Sequence, residues 1–150
     1  MTIIAYKDGE LASDGIGFTG GRRVRIPESK IIRSENGLLA AAGHGGDSHL
    51  AGVWFADGMK DEHPKFADDD DDPMHLLWIK RDGSPWFADR RLVFTPLTTP
   101  CTLGEEIAKA FAEGAMAAGA TAGQAVRLTI EHCVWAGGEV QVERISADQP

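Results

Sequence analysis

The sequence predicts an α+β fold, with two antiparallel sheets covered by helices in a four-layer αββα sandwich. Asp8-Gly9 and Asn36-Gly37 are hairpin signals set between segments rich in β-branched and apolar residues. Strands that arrive in hairpin-joined blocks favour antiparallel pairing over βαβ units. A region of helical spacing, from Leu103 to about Cys133, then precedes one last alternating strand. Periodicity predicts the sheets and helices but does not by itself choose how the layers stack.

Thr2 to Lys7 reads as the first strand and Glu10 to Asp14 as its return. Ile16 to Gly21 is glycine-rich and reads as a loop, and Arg22 to Ile26 alternates polar and apolar residues. Lys30 to Arg33 is a short strand. Leu38 to Gly43 is a run of small apolar residues suited to a strand buried on both faces. Asp47 or Ser48 would cap a helix over Ser48 to Ala56. Lys60 to Pro73 is polar, carries five aspartates from Asp68 to Asp72, and reads as a solvated loop without the spaced ligands of a calcium loop. Met74 to Lys80 and Pro85 to Ala88 form a strand pair around the turn Arg81 to Ser84, and Arg91 to Phe94 is one more strand. In the helix over Leu103 to Ala118, Ile107, Phe111 and Met116 mark the apolar face. Thr121 and Gln124 have capping-box spacing for a second helix. Gly137-Gly138 ends that region, and Glu139 to Ile145 is the final strand.

The chain has 150 residues, 43% of them hydrophobic and 25% charged, which suits a single globular domain over 1–150. Its formal net charge of −8 argues against nucleic acid or an anionic membrane as partner, since a phosphate backbone requires a positive patch. The basic cluster Arg22-Arg23-Val24-Arg25 alternates like a solvated strand face. Two cysteines, Cys101 and Cys133, make neither a disulfide framework nor a metal site. His44 and His49, five apart, are the one histidine pair with ligand spacing and read as surface or turn histidines, so neither metal nor cofactor is expected. No apolar run is long enough to span a bilayer and the N-terminus lacks a signal-peptide layout, so the expected compartment is cytoplasmic.

The residues that could carry chemistry begin with Thr2. A threonine hydroxyl needs a base to attack at neutral pH. If Met1 is removed, the Thr2 α-amine lies on the same residue, with an ordinary pKa of about 7.7–8.0. That value suits a general base. Asp14 closes the first hairpin and Lys30 opens a later strand. A lysine beside the nucleophile would lower the pKa of hydroxyl and amine by its charge, and an aspartate paired with it would hold it charged and oriented. The turn His44-Gly45-Gly46 lies between a strand and a helix start and could offer a backbone N–H to a developing oxyanion. Taken without further knowledge these are ordinary features, and an Asp14–Lys30 pairing is more often a surface ion pair.

The segment Met1-Thr2-Ile3-Ile4-Ala5-Tyr6-Lys7-Asp8-Gly9-Glu10-Leu11-Ala12-Ser13-Asp14 resembles the opening of proteasome β-subunit/HslV-like N-terminal-nucleophile (Ntn) hydrolases. There a processed threonine starts a strand, a hairpin follows and an aspartate closes it. The family lysine comes sixteen residues after that aspartate, as Lys30 does after Asp14. Asn36 to Asp47 resembles the next strand, oxyanion turn and helix start, and Trp135 to Val142 the last turn and strand. The resemblance implies an Ntn-type sandwich and a threonine peptidase acting on polypeptides. It assigns Thr2 as nucleophile, Lys30 as the group tuning its pKa, Asp14 as the partner orienting Lys30, and Gly45 as oxyanion donor. It further implies a homo-oligomeric ring, fed by a separate unfoldase ATPase.

The sequence also departs from the family pattern. The stretch Thr102 to Glu106 lacks the serine of the family's glycine-serine-glycine turn. Cys133 and Ala136 stand where an aspartate and a serine or threonine are usual. Lys60 to Pro73 is too short and polar for the family's long second helix. These departures keep open a catalytically inactive assembly subunit, and an amidase for small molecules on the same scaffold.

Overall fold

The computed structural model describes residues 2–19, 22–25, 29–60, 62–67 and 71–146. The first hairpin forms as expected. Strand β1 (Ile3–Lys7) pairs antiparallel with β2 (Glu10–Ser13). Asp8 and Gly9 both take positive φ, 50° and 81°, as a two-residue primed turn requires. β10 (Cys101–Gly104) and β11 (Gln141–Arg144) flank this pair, giving a four-stranded sheet in the order β10-β1-β2-β11. A five-stranded sheet runs β5 (Ile31–Ser34), β6 (Gly37–Gly43), β7 (Met74–Ile79), β8 (Pro85–Ala88) and β9 (Thr95–Pro96). Every pairing is antiparallel between sequence neighbours.

The pleat of β1 explains how the layers separate. Ile4 and Tyr6 point between the sheets, where they meet Leu11, Leu38, Leu77 and Ile79. Ile3 and Ala5 point the other way, against helices α2 (Glu106–Ala117) and α3 (Ala122–His132). On the far face of the five-stranded sheet, Leu39, Met74 and Leu76 pack on Ala51 and Phe55 of α1 (Gly45–Ala56). The result is the expected αββα sandwich. Between α1 and β7 the described residues form no helix.

Several elements differ from expectation. Ile16 to Gly21 is not a loop throughout: β3 (Ile16–Thr19) pairs with β4 (Arg22–Arg25) as a separate two-stranded ribbon. Gly20 and Gly21 lie outside the described residues. The second hairpin turns on Glu35-Asn36, because Ser34 pairs with Gly37. Gly37 is required by a close approach instead, since a Cβ there would sit 2.1 Å from the Ile79 carbonyl oxygen. The segment Arg91 to Phe94 is not a strand, and the pairing with β8 falls to Thr95–Pro96. The last strand is shorter than expected, covering Gln141–Arg144 alone.

Helix α2 presents a different face from the one its large residues mark. Ile107 and Phe111 are exposed, while Ala108, Ala112 and Met116 are buried. Small residues let the helix sit close on β1, and Phe111 lies against the His132 ring at 5.7 Å. Both helices of this layer are tied to the first hairpin by charge. Lys7 Nζ donates to the Met116 and Ala120 carbonyls at the end of α2 (2.9 and 3.0 Å). The buried Glu10 carboxylate accepts from Gly123 N–H at the start of α3 (2.8 Å). Each charge complements its helix dipole. The Thr121–Gln124 capping box is present.

Candidate active site

The site is built where β1, β2 and the chain entering β5 meet. Asp14 follows directly on β2, and pairing with β1 places it beside Ile3: Asp14 N–H donates to the Ile3 carbonyl at 3.2 Å, and Ile3 N–H donates to Asp14 Oδ1 at 3.2 Å. Gly137 N–H donates to Oδ2 at 3.2 Å, and Gly15 N–H donates back to the Gly137 carbonyl at 2.9 Å. The Asp14 side chain is 0% exposed and wholly directed by these bonds.

Lys30 enters from the other sheet. Its Nζ lies 2.8 Å from Asp14 Oδ1 and 2.8 Å from Thr2 Oγ1, and also donates to the Ile16 carbonyl. Three donors therefore have three acceptors, one of them the threonine hydroxyl. The Lys30 side chain is 9% exposed. Burial pushes its pKa below the ordinary 10.5, while the charge of Asp14 and its hydrogen bond oppose that shift. An ammonium held here favours developing negative charge on Thr2 Oγ1 and, when it titrates, does so earlier than a surface lysine.

Thr2, Asp14 and Lys30 are thus brought into one cluster from positions far apart in the chain. Gly45 makes no hydrogen bond to these three residues and is the first residue of α1, two residues after the end of β6. A Cβ built on Gly45 meets nothing within 4 Å, so its surroundings are open. Helix α1 starts earlier than its two glycines suggested, and neither Asp47 nor Ser48 caps it. The cap is His44, whose Nδ1 accepts from Asp47 N–H at 3.1 Å. Ser48 N–H bonds the His44 carbonyl at 2.9 Å. Gly45 and Gly46 amides remain as first-turn donors without an intrahelical acceptor. Just before them, Gly43 has φ +101°, and a Cβ there would lie 1.8 Å from the Pro73 carbonyl oxygen.

Asp47 has another task. Its buried carboxylate takes Arg90 Nε at 2.5 Å and Ala67 N–H at 3.0 Å. Burial raises its pKa, but the hydrogen bonds from Ala67 and Arg90, with the arginine's charge, outweigh that and hold it below 3.8. Arg90 also donates to the Asp72 carbonyl at 2.6 Å. Of the Lys60 to Pro73 segment, Asp61 and Asp68 to Asp70 lie outside the described residues; most of the described ones are exposed as expected, while Ala67 and Asp72 are anchored to the helix start and Phe66 packs against the core beneath α1. A cavity of about 520 Å³ lined by Pro73, Met74, His75 and Arg90 borders this turn.

Two contributors were missed in the sequence. The Ile16 carbonyl and the Gly137 amide are backbone groups, and no residue type advertises them. The unmatched positions also find their place: Gly104 runs beside Thr2, with a Cβ on it 2.0 Å from the Thr2 carbonyl oxygen. Ala136 is buried and Cys133 ends α3. Asp14 is held here by main-chain amides.

Three solved structures share this fold over nearly the whole chain. Thiobacillus denitrificans BPH in complex with epoxomicin superposes with a TM-score of 0.65 at 20% identity, covering 97% of this chain and 98% of that one. Thiobacillus denitrificans BPH gives a TM-score of 0.63 at 21% identity, with 98% and 99% covered. Eukaryotic HslV from Trypanosoma brucei gives 0.63 at 15% identity, with 95% and 98% covered. The fold is HslV-like. No family profile and no curated protein matches the sequence. At these identities the likeness concerns the HslV-like fold, and the chemistry rests on the residues above. Among the described residues no helix is long and apolar enough to cross a membrane.

Proposed function

We propose that this chain is a cytoplasmic threonine peptidase of the proteasome/HslV type, with Thr2 as nucleophile after removal of Met1. The observation that carries the reading is the position of Lys30 Nζ, 2.8 Å from both Thr2 Oγ1 and Asp14 Oδ1. The freed Thr2 amine, directly or through a water, takes the hydroxyl proton as Oγ1 attacks the peptide carbonyl. Lys30 favours the forming alkoxide, Asp14 keeps Lys30 charged and aimed, and Gly45 N–H stabilises the tetrahedral oxyanion. Collapse breaks the C–N bond, and the amine's proton passes to the leaving nitrogen. An ester to Thr2 remains. Water, deprotonated by the same amine, hydrolyses it and restores the hydroxyl.

A ring of identical chains and a separate unfoldase ATPase are the expected assembly, by analogy with the HslV-like fold. An inactive assembly subunit and a small-molecule amidase are the rivals. Intact-mass spectrometry with epoxomicin, the compound in the BPH complex, tests the reading. The expected result is mature protein beginning at Thr2, one covalent adduct, and no adduct in Thr2→Ala. Mature protein retaining Met1 and remaining unlabelled would return the assembly-subunit reading. Hydrolysis of small amides but not of a peptide panel would select the amidase.

A further inference from the structure

We propose that Gln141 is a positioning residue of this site, whose side-chain carbonyl fixes the Lys30 segment against the Asp14 segment. Gln141 Oε1 accepts Lys30 N–H at 2.8 Å, and lies 3.1 Å from Ser13 Oγ and 3.5 Å from Ser29 Oγ. Ser13 directly precedes Asp14, and Ser29 directly precedes Lys30. One oxygen therefore gathers the residues that introduce both members of the ion pair. Ser13 Oγ also lies 3.0 Å from the Asp14 carbonyl, so its single proton serves one acceptor at a time. The Lys30 amide is the steady donor.

The topology shows why such a link is needed. Gln141 pairs with Ser13 in the four-stranded sheet. Lys30 leads into β5, the edge strand of the other sheet, and its amide lies just before that strand's ladder begins. Nothing in the register of either sheet sets the distance between Asp14 and Lys30. The Gln141 carbonyl crosses that gap. It places the lysine backbone so that one ammonium reaches Thr2, Asp14 and the Ile16 carbonyl together. A displacement of about 1 Å at such a site costs on the order of 10²-fold in rate. The role requires an acceptor at this position. Glutamine supplies it without adding a charge beside the ammonium.

The effect on turnover rests on the threonine-peptidase reading, so the test includes a readout that needs no turnover. Full-length Gln141→Met and Gln141→Glu are compared with wild type by steady-state kinetics. Lys30 Nζ titration is followed by nitrogen-15 NMR in the Thr2→Ala background. Gln141→Met should lower kcat by about 10- to 100-fold with KM held. Gln141→Glu, which restores the acceptor, should recover most of that loss. Its added negative charge should move the Lys30 titration and the alkaline limb of the rate profile upward together. A Lys30 titration identical in all three proteins, or a Gln141→Met enzyme at wild-type kcat, overturns the proposal. If wild type has no turnover yet Lys30 titration differs between wild type and the neutral Gln141→Met, the peptidase reading falls and the positioning role stands. If Gln141→Met does not fold, the titration of the equally neutral Gln141→Ala decides.

Discussion

Asp14 and Asp47 are both buried carboxylates paired with a cation and fed by backbone amides, yet they serve opposite ends. Around Asp14 the cation is a lysine with a proton left for a threonine hydroxyl. Around Asp47 the cation is an arginine that also donates to the Asp72 carbonyl, tying a long connection to the start of α1. A buried ion pair is therefore no sign of function by itself. What distinguishes the two is where the cation's spare donors point and whether its charge can be changed. Lys30 has its pKa lowered by burial, whereas a guanidinium stays charged throughout the working range.

The comparison breaks most sharply if each cation is removed in turn. Lys30→Met is expected to lower peptide hydrolysis by about 10²–10⁴-fold, the range for loss of a proton-managing group. Circular dichroism should still show a folded protein, because Asp14 keeps its two amide donors, with Tm lowered by the loss of the cation. Gly45→Pro is next in size. Proline is accepted at the first helical position, and the preceding His44, with ψ 116°, already has the conformation proline demands. The substitution removes one N–H and little else, so a loss of about 10²–10³-fold in kcat at unchanged melting temperature would identify the oxyanion donor. Near wild-type turnover would move that role to another amide.

Arg90→Met should do the reverse of Lys30→Met. It leaves Asp47 buried without its cation, at a cost of about 3 kcal/mol. Calorimetry should read this as a fall of about 6–12 °C in Tm. Turnover per folded molecule should change little by comparison.

The smallest effects are in pH. The Asp47 carboxyl is held below 3.8 in the folded protein. The unfolded chain thus binds the proton more readily. The resulting stability is present above the unfolded value and is lost as pH falls through the folded one. Acid unfolding of wild type should be steeper below about pH 4 than that of Arg90→Met. For Lys30 the folded pKa is the lower of the two, so the unfolded chain holds the proton up to higher pH. The lysine's own contribution to stability therefore grows as pH rises through that window. Activity should fall over the same range, giving an alkaline limb below 10.5. A limb at the ordinary lysine value would remove Lys30 from the mechanism.

Local chemistry was legible where neighbours in sequence decide the outcome. The Asp8-Gly9 turn, the Thr121–Gln124 capping box and the strand character of Thr2 to Lys7 were all readable. The start of α1 was not, because Gly45 and Gly46 are poor helix formers and the cap is an imidazole. Nor was the buried face of α2. Hydrophobicity points to Ile107 and Phe111, but close packing on the sheet selects Ala108 and Ala112.

The sequence by itself determined the hairpins, the helix pair and the identity of the three side chains now gathered at Thr2. Only the tertiary structure decided that Lys30 reaches Asp14 and Thr2 at once, that Gly137 and Ile16 complete their bonding, and that Gln141 joins the two sheets beside them. The reason is physical. Turns, caps and alternation depend on residues a few positions apart. The site depends on the stacking of two sheets, set by their whole shared core.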